Sequence, residues 1–232
     1  MIEISNLSKV YGKKFSLTIP TLAINKNELV GLVGNNGAGK TTLLSLMLDL
    51  IPATNGFVKS KGMAVSKSED WKNYTGSYLN ERFLIPYLTP TEFFEFIGGL
   101  HGKNASDIAL FLKENEAFFK EDAYDKTYIR DLSAGNKNKV GILAAILPKP
   151  EILILDEPFA NLDPSSQLWL KSKLKELNNN GVTIVVSSHD LKHVTEICSR
   201  ILILDNGKLV KDIPTNSNSL KELENYFNVS SI

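Results

Sequence analysis

The segment "GNNGAGKTT" at residues 34–42 constrains the fold more than any other part of this sequence. It follows a short apolar run, "ELVGLVG", and precedes a segment whose apolar residues recur at helical spacing: Leu43, Leu46, Met47 and Leu50. A strand, a glycine-rich turn and a helix in this order place backbone N–H groups at the amino end of the helix, where they bind anions. The segment also fits the pattern G-x-x-x-x-G-K-[ST]. We therefore predict a phosphate-binding loop within an α/β fold.

This loop supplies both donors and a metal ligand for a nucleoside triphosphate. Its backbone would surround the phosphates, while Lys40 would reach the β- and γ-phosphates and Thr41 would ligate Mg²⁺. The alternative is a plain glycine-rich turn. The predicted nucleotide-binding residues are Gly34, Asn35, Asn36, Gly37, Ala38, Gly39, Lys40, Thr41 and Thr42.

A second apolar run, "ILILDEP" at residues 152–158, ends in two acidic residues. Open α/β sheets bind their ligands at the carboxyl ends of the strands. We therefore expect Asp156 to belong to the Mg²⁺ shell and Glu157 to polarise the attacking water. The alternative is that Glu157 only caps a helix.

A third strand ends in "SSHD", residues 187–190. The same argument places His189 beside the phosphate site, although a single histidine is more often structural than catalytic. We expect His189 to contact the γ-phosphate, which makes Lys40, Glu157 and His189 the predicted catalytic residues.

The order of the predicted elements defines the organisation of the chain. Residues 1–30 alternate apolar and polar residues as antiparallel strands do, and residues 80–131 resemble short amphipathic helices. Strands and helices alternate again after residue 140, and Asn206-Gly207 indicates a late hairpin. We predict a P-loop NTPase core with a mainly parallel sheet from residues 1–79 and 140–232. An N-terminal antiparallel β subdomain belongs to it, and residues 80–139 form an inserted α-helical subdomain.

Composition narrows the class of protein. The 26 basic and 26 acidic residues balance, so no general basic field indicates a nucleic-acid partner. A single cysteine, Cys198, cannot form an internal disulfide and favours a reducing compartment. No apolar run approaches the ~20 residues that a membrane-spanning helix needs. We expect a soluble, cytoplasmic protein.

Together these motifs resemble the ATPase subunit of an ATP-binding cassette (ABC) transporter, in order and over nearly the whole chain. "GNNGAGKT" resembles the Walker A loop, "LSAGN" at 132–136 the LSGGQ signature, and "ILILDEP" the Walker B strand. "NLDP" at 161–164 resembles the D-loop, and His189 the switch histidine. The resemblance implies ATP as the nucleotide and Tyr11 as the aromatic residue that stacks on adenine.

The resemblance also implies a head-to-tail pair, most simply a homodimer. The signature of one copy, through Ser133 and Gly135, would then contact the γ-phosphate held by the other copy. Four positions depart from the usual signature segment: Ala134 replaces glycine, Asn136 replaces glutamine, Lys139 replaces arginine, and Asn138 is the fourth. Because a hydroxyl and backbone donors at a helix start remain, we expect a working signature. The alternative is a simple helix start capped by Ser133.

A further departure concerns the loop that enters the helical insertion. The family usually has a glutamine there that touches the metal. In "SYLNERF" we assign this place to Glu81, with Asn80 as the other candidate. A carboxylate can also ligate Mg²⁺, so Thr41, Asp156 and Glu81 form the predicted metal set.

By resemblance, the physiological partner is a separate polytopic membrane subunit, with the chain held peripherally at the inner face of the membrane. Phe93, Phe94 and Phe96 cannot all face inward in so small a subdomain, and those that do not would contact this partner. The "SYLNE" loop and the short tail are closer to ABC-2 or antibiotic-peptide resistance exporters than to importers. Two alternatives remain: a soluble ABC ATPase acting on ribosomes or DNA, and an inactive regulatory module.

Overall fold

The computed structural model describes residues 1–12, 15–120 and 126–229. The strands within these ranges are β1 (Ile2–Tyr11), β2 (Phe15–Ile24), β3 (Leu29–Val33), β4 (Asn55–Ser60), β5 (Met63–Ala64), β6 (Thr75–Tyr78), β7 (Ile152–Leu155), β8 (Thr183–Ser188), β9 (Arg200–Asp205) and β10 (Lys208–Pro214). The helices are α1 (Lys40–Met47), α2 (Pro90–Leu100), α3 (Ala105–Glu114), α4 (Ala134–Ile146), α5 (Pro164–Asn179), α6 (Leu191–Ile197) and α7 (Ser219–Val229). The strands form one mixed sheet in the order β5-β4-β1-β2-β10-β9-β3-β8-β7-β6.

The half of the sheet that carries the predicted site is parallel. Strands β9, β3, β8, β7 and β6 pair in parallel, in register such that Val33 lies beside Ser188 and Leu155 beside Val186. Every residue of β3, β7 and β8 is buried, and alternate side chains enter two separate apolar clusters, one on each face. This burial explains the continuous apolar runs of the sequence. The parallel pairing brings the carboxyl ends of β3, β7 and β8 to one edge of the sheet.

The other half of the sheet is antiparallel, as the alternation of residues 1–30 predicts. Strand β1 pairs with β2 and β4, and β10 joins the two halves through its pairing with β2 at Lys208 and Thr18. The predicted hairpin is confirmed: β9 and β10 are antiparallel, and Asn206 and Gly207 both have positive φ, as a type I′ turn requires.

Helices α2 and α3 and the start of α4 form the insertion, with residues 121–125 outside the described ranges. The boundary assigned at residue 139 falls within α4, which runs on into the core. Phe93 and Phe94 are buried in the same apolar cluster as β7 and β8, whereas Phe96 is 47% exposed. The expectation that these three aromatic residues divide between core and surface is thus confirmed.

Helix α1 is shorter than the sequence predicts. It ends at Met47, and Leu50, assigned to its apolar face, is 46% exposed. The reason is local: Asp49 adopts a left-handed conformation with φ of 49°, and Pro52 follows, so the helix cannot continue.

Helix α5 begins with a capped first turn and buries one apolar face. The side chain of Asp163 accepts a hydrogen bond from the backbone N–H of Ser166, Pro164 is the first helical residue, and Leu170 and Leu174 are fully buried. At 16 residues, α5 is shorter than the ~20 residues that a membrane-spanning helix needs. No helix of the described ranges combines the length and the apolar character required to cross a bilayer.

Candidate functional site

The phosphate loop connects β3 to α1 and depends on its glycines. Gly37 and Gly39 have φ of 83° and 107°, a region that side chains other than glycine rarely adopt. At Gly34 a Cβ atom would lie 2.2 Å from the carbonyl oxygen of Leu204. The glycine pattern is therefore required by backbone conformation and by close contact with β9.

An open cavity of about 400 Å³ lies at this loop. Gly34 and Ala38 are buried behind it, and the carbonyl of Ala38 accepts a hydrogen bond of 2.9 Å from Gly207 in the hairpin. Tyr11, at the end of β1, brings a 45% exposed aromatic ring to the rim. The lining consists of Tyr11, Asn35, Asn36, Gly37, Gly39, Lys40, Thr41, Thr42 and Glu157.

Lys40 is buried at 7% exposure at the first position of α1. Its Nζ donates to the carbonyl of Gly34 at 2.7 Å and lies 3.4 Å from Oε1 of Glu157. A buried ammonium group requires such partners. The cation is thereby held at the floor of the cavity, within reach of phosphate oxygens.

Asp156 lies directly after β7 and is 6% exposed. One carboxylate oxygen accepts a hydrogen bond of 2.5 Å from Oγ1 of Thr41, and the other accepts one from Oγ of Ser187. Burial raises the pKa of Asp156 above its usual value, against the opposing effect of these two hydrogen bonds. The hydroxyl of Thr41 and the carboxylate of Asp156 form an oxygen set of the kind that Mg²⁺ shares with nucleotide phosphates.

Glu157 has a strained backbone and a side chain between two nitrogen groups. Its φ is 48°, uncommon for a residue other than glycine, and its N–H donates to Oγ of Ser187 at 2.9 Å. The carboxylate lies between Lys40 and His189, whose Nδ1 is 2.8 Å from Oε2. The backbone N–H of His189 donates to the same oxygen at 3.2 Å.

The structure thus brings most of the predicted site residues together. The phosphate loop, Thr41, Asp156, Glu157 and His189 meet at the carboxyl ends of β3, β7 and β8. The side chain of His189 is 61% exposed, so it can approach a ligand without a rearrangement of the core. The carboxylate of Glu157 thus lies beside a lysine, a histidine and the oxygen atoms of Thr41 and Asp156, which could ligate a metal ion. A carboxylate in these surroundings is suited to the activation of water next to a phosphate.

The signature residues lie outside this cavity. Ser133 is exposed and caps α4, because its Oγ accepts a hydrogen bond of 3.2 Å from the N–H of Asn136. Ala134 is exposed and has no positive φ, so its extra methyl group is accommodated. A Cβ atom at Gly135 would lie 2.5 Å from the carbonyl oxygen of Asn161. Gly135 is therefore fixed by packing within the chain.

The structure does not bring Glu81 to the other predicted metal ligands. Its carboxylate is 61% exposed, lies 3.5 Å from Nζ of Lys137 and is absent from the lining of the nucleotide cavity. Asn80 caps the short turn Glu81–Phe83 by accepting a hydrogen bond from Arg82. The backbone nevertheless leaves the sheet beside the site, since the carbonyl of Tyr78 accepts a hydrogen bond from the N–H of Asp156.

Two residues with direct contacts to this machinery were missed from the sequence. Ser187 contacts both Asp156 and Glu157, and Asn138 binds two carbonyls of the segment after Glu157. A signal for Ser187 exists: a hydroxyl at the end of a fully buried strand needs a polar partner. Asn138 stands out in the sequence only as a departure from the signature, and that departure does not predict which backbone carbonyls its side chain binds.

Comparisons with known proteins show which family this chain resembles. The model of a family described as "ABC transporter" matches residues 17–160. An uncharacterized ABC transporter ATP-binding protein of Bacillus subtilis (strain 168), YhaQ, is 34% identical over 98% of this chain and 74% of that protein. The linearmycin resistance ATP-binding protein LnrL of the same strain is also 34% identical, over 90% and 68%. The bacitracin transport ATP-binding protein BcrA of Enterococcus faecalis is 33% identical, over 92% and 69%.

Solved structures show the same fold. An ATP-binding subunit of an ABC transporter superimposes with a TM-score of 0.84 at 25% identity, over 98% of this chain and 93% of that one. A dimeric ATP-binding cassette in a post-hydrolysis state, bound to ADP and Pi, gives a TM-score of 0.81 at 26% identity, over 94% and 100%.

Proposed function

Because the chain belongs to the ABC transporter family as an ATP-binding subunit with ATPase activity, we propose that it powers a separate polytopic membrane subunit as a head-to-tail homodimer. The hydrolytic part of this proposal rests on the position of Glu157. Its carboxylate lies between Lys40 and His189, beside the Thr41–Asp156 oxygen pair. This is the arrangement that hydrolysis of a bound triphosphate needs.

The proposed mechanism assigns one task to each group. The loop amides and Lys40 bind the phosphates and stabilise the charge that develops on them. Tyr11 stacks on the adenine ring. Thr41 and Asp156 would hold Mg²⁺, which would neutralise part of the negative charge of the phosphates. Glu157 accepts the proton of the attacking water, and His189 orients the γ-phosphate.

Lys40 changes partner in this mechanism. Its Nζ donates to the carbonyl of Gly34 and lies 3.4 Å from Oε1 of Glu157. Phosphate oxygens are charged acceptors that compete with a carboxylate for an ammonium group, so we infer that bound ATP draws Lys40 away from Glu157. The carboxylate is then available to a water molecule, and the base is activated by the arrival of its substrate.

The second copy supplies Ser133 and Gly135 in this proposal. Ser133 is exposed at the amino end of α4, where backbone donors favour an anion. Neither residue lines the cavity of its own chain, so a partner's nucleotide is the natural ligand. The dimeric neighbour with bound ADP and Pi supports this assembly.

The membrane subunit would dock where the insertion meets the edge strand β6. A cavity of about 190 Å³ lies there, between β6, α2 and α4, with Phe83 and His101 in its lining. Phe96 and Leu100 of α2 are 47% and 68% exposed nearby in the same insertion. Such apolar exposure is typical of a protein contact. The chain would thereby be held at the cytoplasmic face of the membrane, with Glu81 and its Lys137 contact close to the docking surface.

Transport out of the cell is the direction that we propose. Two similar proteins are named for linearmycin resistance and for bacitracin transport. The "SYLNE" loop also resembles that of antibiotic-peptide resistance exporters more than that of importers. The balanced charge offers no support for an alternative role on ribosomes or DNA.

The test is to isolate tagged protein from gently solubilised native membranes, with ADP and with ATP, and to identify its companions by mass spectrometry. A polytopic membrane protein in near-equal amount is the expected result. The identity of that membrane protein then indicates the class of cargo. Ribosomal or DNA-repair proteins without a membrane partner would overturn the transporter assignment while leaving the ATPase intact.

A further inference from the structure

Two side-chain amides hold the segment that follows the base. We call residues 158–163 the post-base loop. Nδ2 of Asn138, in α4, donates to the carbonyls of Pro158 and Ala160, each at 2.9 Å. Nε2 of Gln167, in α5, donates to the carbonyls of Phe159 and Leu162 at 3.4 and 3.2 Å. Four carbonyls of one short loop are thus bound from two helices.

The post-base loop also contacts the first turn of α4. The carbonyl of Asn161 approaches Gly135 so closely that only a glycine fits. Nζ of Lys139 lies 3.3 Å from Oδ2 of Asp163. Asn138 is the buried member of this contact, with 7% exposure. Water therefore cannot easily replace its amide if the side chain is removed.

These contacts join two parts of the proposed machinery. The loop begins at the residue after Glu157, and α4 begins at the residue after Ser133. Under the proposed head-to-tail assembly, on which this inference rests, Ser133 contacts the nucleotide of the second copy. Contact with that nucleotide is then transmitted through α4 and Asn138 to the backbone beside this chain's own Glu157.

We propose that Asn138 is a positioning residue for ATP hydrolysis, which makes the signature helix and the backbone after Glu157 move as one unit. The amide touches neither the nucleotide nor the water. It acts through Pro158 and Ala160, whose carbonyls it fixes. The left-handed backbone at Glu157, with φ of 48°, requires such support from its surroundings.

A purely structural role for Asn138 predicts a different outcome, and the chain contains a control asparagine, Asn178, that makes the same pair of contacts but is less buried. Nδ2 of Asn178 donates to the carbonyls of Asn27 and Val182, also at 2.9 Å each. One side-chain amide again bridges two backbone carbonyls. These carbonyls lie just before β3 and β8, at the edge of the sheet opposite to the nucleotide cavity.

The experiment compares Asn138→Ala, Asn138→Gln and Asn178→Ala in the full chain. We expect Asn138→Ala to lower kcat by about 10- to 100-fold with a much smaller change in KM for ATP, because the base is misplaced while the phosphate loop is intact. Asn138→Gln keeps both N–H donors and restores much of the rate. Asn178→Ala lowers the Tm and keeps kcat close to the wild-type value.

Pairing is the second measurement. In the Glu157→Gln background, sedimentation with ATP reports the concentration at which two copies associate. We expect Asn138→Ala to require a higher concentration than Asn178→Ala does. Asn138→Ser, which keeps one donor, replaces Asn138→Ala if the latter is not recovered folded, and a lower kcat is again expected.

The inference is wrong if Asn138→Ala, or Asn138→Ser in its place, retains wild-type kcat and pairing, or if its losses equal those of Asn178→Ala. Failure of the proposed function is distinguishable. In that case the wild type does not hydrolyse ATP, or Glu157→Gln does not pair with ATP at any concentration, before Asn138 is changed.

Discussion

The two edges of the parallel sheet use similar polar groups for opposite purposes. At the amino-terminal edge, Arg200 makes a bidentate contact with Asp212 at 2.7 and 2.6 Å and binds Glu28 at 2.9 Å. At the carboxyl-terminal edge, the partners of Lys40 among the described residues are the carbonyl of Gly34 and a more distant Glu157. The first cation has permanent partners, whereas the second has partners that phosphate can replace.

The backbones of two glutamates, one at each edge, also differ. Glu157 has a left-handed backbone and depends on Ser187 for its N–H partner. Glu28 has no positive φ, and its carboxylate accepts bonds from Asn25 and Arg200. Exchangeable contacts thus lie at the edge that binds the ligand, and satisfied ion pairs lie at the opposite edge. Left-handed residues occur at both edges, since Asn27 and Lys149 also have positive φ.

The largest effect that separates the edges is expected for Glu157→Gln. Because the base is lost while the shape is kept, hydrolysis falls by about 10²–10⁴-fold. ATP binding and thermal stability remain, since Lys40 keeps the carbonyl of Gly34. Phosphate release, nucleotide binding and Tm give the three readouts. Full turnover by this variant would remove Glu157 from the mechanism.

Arg200→Met tests the opposite edge. It leaves the carboxylates of Glu28 and Asp212 without their shared cation, and we expect a loss of ~2–3 kcal/mol in the free energy of unfolding. For a domain of this size the Tm then falls by about 2–4 °C per kcal/mol. The rate of hydrolysis per folded molecule is unchanged. A large fall in kcat at temperatures well below the Tm would contradict the separation of roles.

Ser187→Ala is expected to have an intermediate effect at the ligand edge. The hydroxyl orients the carboxylate of Asp156 and the backbone of Glu157, so its loss raises the Mg²⁺ concentration needed for activity by about 10- to 100-fold. Nucleotide binding without Mg²⁺ serves as the control and should not change.

The smallest effect concerns pH and stability at the amino-terminal edge. Burial would raise the pKa of Glu28, but hydrogen bonds from Asn25 and the charge of Arg200 hold it below its usual value. A lowered pKa in the folded state contributes stability above the unfolded-state pKa, and this contribution is lost as pH falls through the folded-state value.

Denaturant unfolding of wild type and Glu28→Gln between pH 7 and pH 3 measures this term. At pH 7 the wild type should be more stable by ~1 kcal/mol, a value limited by solvent screening. The difference should shrink as the pH approaches 3. A difference that stays constant with pH would show that Glu28 contributes through packing alone.

Sequence patterns predicted the ligand edge well where the signal is local. The phosphate loop, the acidic end of β7 and His189 each lie at the end of an apolar run, and parallel pairing brings such ends together. The hairpin at Asn206-Gly207 was predicted for a similarly local reason. Helix α1 was predicted too long because the apolar spacing continues to Leu50, while the left-handed Asp49 ends the helix earlier.

Contacts between distant segments escaped prediction. Ser187 and Asn138 are recognised only when β8 lies beside β7 and α4 lies against the post-base loop. Gly135 was retained for its backbone donors, and its packing against Asn161 is visible only in three dimensions. The carboxylate of Glu81 lies beside Nζ of Lys137, which is more than fifty positions later in the sequence.

The central claim is that each ATP site combines the phosphate loop of one copy with the signature of another. Mixing two inactive variants tests it most directly. Lys40→Ala disables the phosphate loop, and Ser133→Asp places a negative charge against the partner's phosphate while preserving the helix cap. The account predicts that each variant alone is inactive and that their mixture hydrolyses ATP, because mixed pairs contain one intact site. A mixture no more active than its components would contradict the shared site.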